Sequence, residues 1–150
     1  MLEIALYQPD IAANTGTIAR LCACLGLRLT IIEPAGFTWS DSALRRAGMD
    51  YLSAANVRRS PSWADFQSHH AGRRLVLLST RAALPYTQFN FVAGDILLAG
   101  RESAGVPDEV HAACQGITIP MRQGFRSLNV AVATAMVAGE ALRQLGGVTS

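Results

Sequence analysis

The alternation of short apolar runs with helical patterns constrains the fold of this chain more than any other feature of its sequence. Five apolar runs have the length and composition of buried strands: residues 3–7, 29–33, 75–79, 95–99 and 116–119. Helical patterns cover residues 14–25, 40–48, 63–70, 107–114 and 128–145. Strands alternating with helices predict an α/β fold, a mostly parallel sheet covered by helices on both faces. No repeat or long linker divides the chain, so we expect one domain over residues 1–150.

Capping residues mark the expected ends of the first and last helices. Asn14 is placed to cap the first helix, and Gly26 is placed to follow its last turn. Ser127 is placed to cap the last helix, with Asn129 in its first turn.

The first and last helices carry more apolar surface than a single core uses. Outside its apolar stripe the first helix still presents Ala19, Ala23 and Cys24, and the last helix is apolar nearly all round over residues 131–138. A helix of that kind is buried on several sides, and in a small domain a partner subunit can supply the second cover. We therefore expect a homodimer. The alternative is a monomer with one central buried helix.

The cysteines and histidines do not predict a metal or redox site. Cys22 and Cys24 are one residue too close for a CxxC motif, and the three histidines lack zinc-ligand spacing. We expect reduced thiols, no metal and a cytoplasmic protein. The amino terminus lacks the pattern of a signal peptide, and the longest apolar run, residues 130–139, is too short to span a bilayer. No membrane association is expected.

The type of basic residue favours an anionic partner more strongly than the net charge of +2 does. All thirteen basic residues are arginine, which suits bidentate phosphate recognition, although a GC-rich genome explains the lack of lysine equally well. Arg20 lies about 200° around the first helix from Ile18 and so points away from the core. Arg122 and Arg126 precede the last helix. Each is a candidate for an anion or RNA contact, and the alternative for each is a solvated surface.

The glycine-rich segments exclude two common nucleotide-binding motifs. The segment 9–20, which joins the first strand to the first helix, lacks GxGxxG. Gly100 and Gly105 have the spacing of a phosphate loop, but Val106 and Pro107 replace the Lys-Ser/Thr pair that such a loop requires. These glycines still allow a ligand to approach the backbone closely. The alternative is an ordinary turn between a strand and a helix.

Three motifs, in their order along the chain, carry a family resemblance. They are Asn14-x-Gly16-x-x-x-Arg20, then Gly100-x-Glu102-x-x-Gly105-Val106-Pro107, then Ile119-Pro120-Met121 followed by Ser127-Leu128-Asn129-Val130. This order resembles the SPOUT ribose 2′-O-methyltransferases over essentially the whole chain. Ile32-Glu33-Pro34 and the segment 44–51 make the tRNA wobble-nucleotide methyltransferases the most similar members.

The resemblance implies a fold, a cofactor and a substrate. The fold has a C-terminal deep trefoil knot, the cofactor is S-adenosylmethionine, and the substrate of the homodimeric enzyme is cytidine or uridine 34 of tRNA. The implied cofactor-binding residues are Leu78, Ser79, Thr80, Gly100, Glu102, Ile119, Met121, Ser127 and Leu128. The implied RNA-binding residues are Arg20, Arg122 and Arg126.

The catalytic roles implied by the resemblance fall on five residues. Because a neutral guanidinium is costly, we expect Arg20 to stabilise the developing alkoxide while an RNA phosphate or water takes the proton. Asn14 and Glu102 are expected to orient Arg20 or the nucleotide. Ser127 and Asn129 are expected to hold the substrate and the start of the last helix.

One segment departs from the family pattern. Many relatives have Pro-Glu-Thr-Arg-Gly where this chain has Arg101-Glu102-Ser103-Ala104-Gly105, so the arginine stands three positions earlier. Two other functions stay open at this point: methylation of another tRNA or ribosomal RNA ribose, and a non-catalytic RNA-binding module. The missing GxGxxG and the missing lysine disfavour a third, a dinucleotide- or phosphate-binding protein.

Overall fold

Six parallel strands form one sheet in the part of the chain that the computed structural model describes, residues 1–40, 42 and 56–148. The strands are β1 (Glu3–Tyr7), β2 (Arg28–Ile32), β3 (Asn56–Ser60), β4 (Leu75–Leu78), β5 (Ile96–Ala99) and β6 (Gln115–Ile117). The helices are α1 (Ala12–Leu25), α2 (Trp63–His69), α3 (Asp108–Ala112) and α4 (Val130–Gln144), with a 3₁₀ turn at Tyr86–Gln88. The predicted α/β architecture with a parallel sheet is confirmed.

The strand order β3-β2-β1-β5-β4-β6 places β1 at the centre of the sheet. Leu6 of β1 pairs with Ile31 of β2 on one side and with Ala99 of β5 on the other. After β1 the chain forms β2 and then β3 on one side of it, and the remaining strands, β4, β5 and β6, lie on the other side of β1. Because all pairs are parallel, the loops that follow the strands lie at one edge, where open α/β sheets bind their ligands.

Both faces of the sheet are covered, as the sequence predicts. Ile4 and Leu97 face the layer formed by α1 and α4, where Ile18 and Val137 pack against them. The alternate residues of the strands face α2 and α3 and surround Phe66. No helix of the described residues is long and apolar enough to cross a membrane.

Only part of the additional apolar surface that the sequence predicts on the two long helices, α1 and α4, is exposed. Ala19, expected outside the core stripe, is fully buried, so that expectation was wrong. Cys24 is exposed as expected, and on α4 Val132 and Met136 are 50% and 40% exposed. The outward side of α4 therefore presents apolar surface that its own core does not cover.

Two of the three capping predictions are corrected. Helix α1 begins at Ala12 with Ile11 as its N-cap, so Asn14 lies inside the first turn and its amide is available to the neighbouring loops. Helix α4 begins at Val130, and its N-cap is Asn129, whose side chain accepts from the N–H groups of the next two residues. Ser127 lies two positions too early for the role expected of it. Gly26 ends α1 with a φ of 69°, as predicted.

Strand β3 was missed because it does not look like a buried strand. Asn-Val-Arg-Arg-Ser is mostly polar, and three of its five residues are exposed. It pairs with β2 alone in the described sheet, so its polar side chains remain in solvent. The predicted helix over residues 40–48 lies outside the described residues except for positions 40 and 42, as does the segment 44–51.

A buried network of charged residues lies at the end of the sheet opposite the carboxyl ends of the strands. The Glu3 carboxylate, 2% exposed, accepts from Thr30 at 2.8 Å, from Arg73 at 2.6 Å and from His70 at 3.2 Å. Burial alone raises the pKa of Glu3, but the hydrogen bonds of Arg73 and Thr30 with the charges of Arg73 and His70 outweigh it and hold the pKa below its usual range.

We expect Glu3→Gln to lower the free energy of unfolding by about 1.5–3 kcal/mol at pH 7, the usual worth of hydrogen bonds to a charged group. Because the pKa of Glu3 is lowered on folding, its stabilisation is complete above its usual value of 4.5 and is lost as pH falls through the folded value. Urea unfolding of both proteins at pH 7 and pH 3 tests this, with exposed Glu109→Gln as the control. An equal gap at both pH values contradicts it.

Candidate functional site

A cleft of about 600 Å³ opens at the edge of the sheet where the strands end. Its walls are the segments that follow β4, β5 and β6, together with the first turns of α1 and α4. All nine residues assigned to cofactor binding from the sequence line it: Leu78, Ser79, Thr80, Gly100, Glu102, Ile119, Met121, Ser127 and Leu128. The volume is that of a typical small-molecule site.

The turn after β5 is folded so tightly that it requires glycine at Gly100. A Cβ atom at this position would lie 2.9 Å from the backbone carbon of Gly105 and 3.1 Å from a Val106 methyl group. The turn is closed by two backbone hydrogen bonds between Arg101 and Gly105, of 3.0 and 2.9 Å, and Gly105 has a φ of 62°. The backbone of this turn is thus presented directly to the cleft.

The displaced arginine of the second motif is bound within its own loop. The Nε of Arg101 donates to the Gly105 carbonyl at 2.9 Å, and its guanidinium lies 5.5 Å from the centre of the Tyr7 ring. Arg101 therefore stabilises the turn against the end of β1.

Asp10 joins the first loop to this turn and was not predicted as a site residue. The Asp10 N–H donates to Glu102 Oε2 at 3.0 Å, and the Glu102 N–H donates to Asp10 Oδ1 at 3.2 Å. The Ser103 hydroxyl donates to the other Asp10 oxygen. The clue in the sequence is an acidic residue placed three positions after a buried strand.

The two carboxyl groups affect each other's ionisation. Burial raises the pKa of Glu102, and its contact with Asp10 raises it further. The hydrogen bonds from Glu102 and Ser103 hold the pKa of Asp10 below its usual range. When one proton is taken up at this pair, we therefore expect it on Glu102.

Asn14 and Asn129 extend the contact across the cleft. The Asn14 amide lies 3.5 Å from Glu102 Oε1, and its carbonyl oxygen accepts from Asn129 at 3.0 Å. Asn129 in turn accepts from the Ala131 N–H at 2.8 Å. Asp10, Glu102, Asn14 and Asn129 thus form a hydrogen-bonded chain, the "cleft chain" below, that joins three segments distant in sequence.

The arginines predicted to act at the site are placed differently from one another. Arg126 lines the cleft, whereas Arg122 and Arg20 do not. Arg20 is exposed on α1, as its position around the helix predicts, and Glu102 contacts Asp10 and Asn14 instead of Arg20. Ser127 lines the cleft beside Arg126.

The arrangement suits an organic ligand bound through shape and backbone groups. Apolar walls are combined with the Glu102 carboxylate, the Asn14 amide and three arginines, Arg81, Arg101 and Arg126. In the described part of the chain, no group of three or more histidine, cysteine or acidic residues is placed to hold a metal ion.

Comparison with known proteins gives concordant results. A model described as the SpoU rRNA Methylase family matches residues 1–139. A tRNA (cytidine(34)-2'-O)-methyltransferase of Beijerinckia indica subsp. indica is 60% identical over 146 residues, which cover 95% of this chain and 91% of that protein.

Two solved structures superpose over nearly the whole chain. One, described as giving structural insights into the 2-OH methylation of C/U34 on tRNA, has a TM-score of 0.92 at 43% identity and covers 97% of each chain. The other is the SpoU methyltransferase AviRb from Streptomyces viridochromogenes in complex with AdoMet. It has a TM-score of 0.83 at 25% identity, over 98% of this chain and 61% of that one.

Proposed function

This chain belongs to the SpoU rRNA methylase family, and we propose that it transfers a methyl group from S-adenosylmethionine to the ribose 2′-hydroxyl of cytidine or uridine 34 in tRNA. The observation that carries this is the 60% identity with a tRNA (cytidine(34)-2'-O)-methyltransferase across nearly the full length of both chains. The family and the activity inferred from the three motifs are confirmed. The trefoil knot, the single-domain extent and the cytoplasmic location stay predictions.

The cleft fits S-adenosylmethionine in size and in chemistry. Its volume of about 600 Å³ suits a ligand of that size, and Gly100 allows the turn after β5 to fold closely on Gly105 at the wall of the cleft. The turn at Gly100 and the segments at Ser79 and Ile119 would hold it through backbone groups, with the Glu102 carboxylate nearby. When bound, it supplies an electrophilic methyl group.

We assign the protein's part in catalysis to positioning and charge stabilisation. Holding the ribose hydroxyl in line with the methyl group is worth about 7–11 kcal/mol when the geometry is tight. The cleft chain fixes the relative position of the walls, so Asn14, Glu102 and Asn129 support that geometry. Ser127 lines the cleft, which supports the role proposed for it in contacting the nucleotide. The hydroxyl proton passes to an RNA phosphate or to water, and Arg20 stabilises the alkoxide that develops.

A homodimer explains why Arg20 lies outside the cleft of its own chain. Val132 and Met136 are one turn apart on the outward face of α4, and both remain substantially exposed. Because α1 packs beside α4, a second copy that covers this face of α4 would also lie close to α1. We therefore propose that Arg20 completes the site of the partner subunit.

We expect the purified protein to methylate tRNA in the presence of S-adenosylmethionine and of a metal chelator. Nucleoside mass spectrometry after nuclease digestion would locate the methyl group at nucleotide 34. Calorimetry with and without chelator measures cofactor binding separately. Methylation of a different nucleotide, absence of methylation, or loss of cofactor binding with chelator contradicts the corresponding part of the proposal.

We expect a dimer of twice the 16.0 kDa chain mass at micromolar concentration. Sedimentation velocity measures this, and Met136→Glu should shift the protein towards monomers, since a charge in an apolar interface is costly to desolvate. Thr17→Glu, an exposed change on α1, tests whether that helix also lies in the interface. A 16.0 kDa species for the unchanged protein refutes the dimer.

A further inference from the structure

Phe125 is the most exposed aromatic side chain in the described part of the protein, at 70%. It follows Gly124, which has a φ of 95°, in a turn where the Phe125 N–H donates to the Arg122 carbonyl at 3.4 Å. The same segment continues into Arg126, which lines the cleft. A large ring is thus held outside the core, next to the mouth of the site.

The two arginines that flank Phe125 differ from the other arginines. Neither Arg122 nor Arg126 has an ion pair, a hydrogen-bond acceptor or an aromatic ring as a side-chain partner among the described residues. Arg20 has its own interactions. Each of the remaining described arginines has a partner: Arg28, Arg58, Arg59, Arg73, Arg74, Arg81, Arg101 and Arg143. Two uncommitted cations therefore stand on either side of the exposed ring.

We propose that Phe125 is a positioning residue for the RNA: it stacks on an unpaired nucleobase at or beside the methylated nucleotide, while Arg122 and Arg126 contact the adjacent phosphates. The proposal rests on the proposed function. Unpaired bases stack on aromatic side chains, and arginine binds the phosphates between them. A ribose entering the cleft brings its own base and the neighbouring base to this segment.

The observations favour RNA over a second copy of the chain as the partner of Phe125. From Arg122 to Ser127 every residue is exposed, and two of the six are arginine with no acid among them. Two copies of this segment would repel each other, whereas the phosphates of RNA neutralise it. The apolar face at Val132 and Met136 is the better surface for a subunit.

The test compares RNA binding by Phe125→Ala, Phe125→Leu and Phe125→Trp with the unchanged dimer, at saturating cofactor. Stacking on one base predicts that Phe125→Ala weakens tRNA binding roughly 5- to 150-fold. Phe125→Trp should bind within a few-fold of the unchanged protein, and Phe125→Leu should resemble the alanine variant because stacking needs a flat ring. Cofactor affinity should not change.

Abasic RNA identifies the base concerned. Anticodon stem-loops lacking the base of nucleotide 33, 34 or 35 are each tested with the unchanged protein and with Phe125→Ala. At the stacked position the two proteins should bind equally, because the contact is already lost. Equal binding of intact tRNA, a penalty that persists with all three abasic RNAs, or loss of the dimer on changing Phe125 overturns the proposal. If the unchanged protein fails to methylate tRNA, the proposed function fails instead.

Discussion

Arg20→Ala should lower the rate of methyl transfer about 100- to 1000-fold, equivalent to ~2.7–4 kcal/mol of transition-state stabilisation. The reason is that Arg20 is proposed to stabilise charge that exists only while the 2′-hydroxyl is losing its proton. Such an interaction affects kcat and leaves the affinity for the cofactor unchanged. Arg20 is exposed on α1, so its replacement by alanine leaves no cavity in the core.

Single-turnover measurements at saturating tRNA separate this role from RNA docking. Arg20→Lys should restore little activity, since an ammonium group cannot reproduce a planar two-pronged contact. Arg126→Ala is the matched comparison: it removes a proposed phosphate contact, so it should weaken RNA binding and reduce its dependence on salt. Near-normal turnover by Arg20→Ala under these conditions would make Arg20 a surface or docking residue and refute the mechanism.

Gly100→Trp should weaken S-adenosylmethionine binding by more than about 100-fold, or roughly 2.7 kcal/mol. A single Cβ already meets the Gly105 backbone at 2.9 Å, so an indole must open the turn or fill the cleft. Calorimetry measures the affinity. Ala64→Val, which adds a branched side chain at an exposed position of α2, is the control for a general effect of added volume. Cofactor affinity within tenfold of the unchanged protein contradicts the assignment of this turn.

The two variants together test whether the site is shared. If Arg20 acts on the partner's cleft, a mixed dimer of Arg20→Ala and Gly100→Trp subunits has one cleft with both an intact turn and an intact arginine. Mixing the two inactive proteins under conditions that exchange subunits should then recover activity, up to about a quarter of the unchanged level for random exchange with independent sites. No recovery, with exchange verified by mass, favours self-contained sites.

The fold was predictable where the apolar pattern of the sequence and the conformational requirements of the backbone indicate the same element. Strand β1 has the predicted bounds, and Gly26 ends α1 because only a residue that tolerates positive φ fits there. Strand β3 was not predictable, because Arg58 and Arg59 at an exposed edge give no apolar signal. The two wrong capping predictions have the same cause. Asn14 and Ser127 are residue types that favour helix N-caps, and each lies close to a helix start. Their actual positions depend on the tertiary structure, which local propensity does not encode.

The sequence predicted which residues line the cleft better than it predicted which of them contact each other. The nine residues that the resemblance assigns to the cofactor all line the cleft: six come from the second and third motifs, and Leu78, Ser79 and Thr80 come from the end of β4. Their role in binding stays a prediction. The pairing of Asp10 with Glu102 joins residues 92 positions apart, and no local pattern carries that information. For the same reason the sequence left open whether Asn14 and Glu102 orient Arg20 or the nucleotide, and it did not predict that Glu102 contacts Asp10.

The central position of β1 has a consequence for the chain as it is being made. Its partner β5 begins at Ile96, so one edge of β1 lacks its final neighbour until about ninety more residues have been synthesised. At about 5–20 residues per second this interval lasts roughly 5–20 s. Open strand edges readily pair with other chains. The nascent protein therefore passes through a period in which ribosome-bound copies are prone to associate wrongly, and production at lower temperature or with chaperones that shield strand edges should raise the yield of folded enzyme.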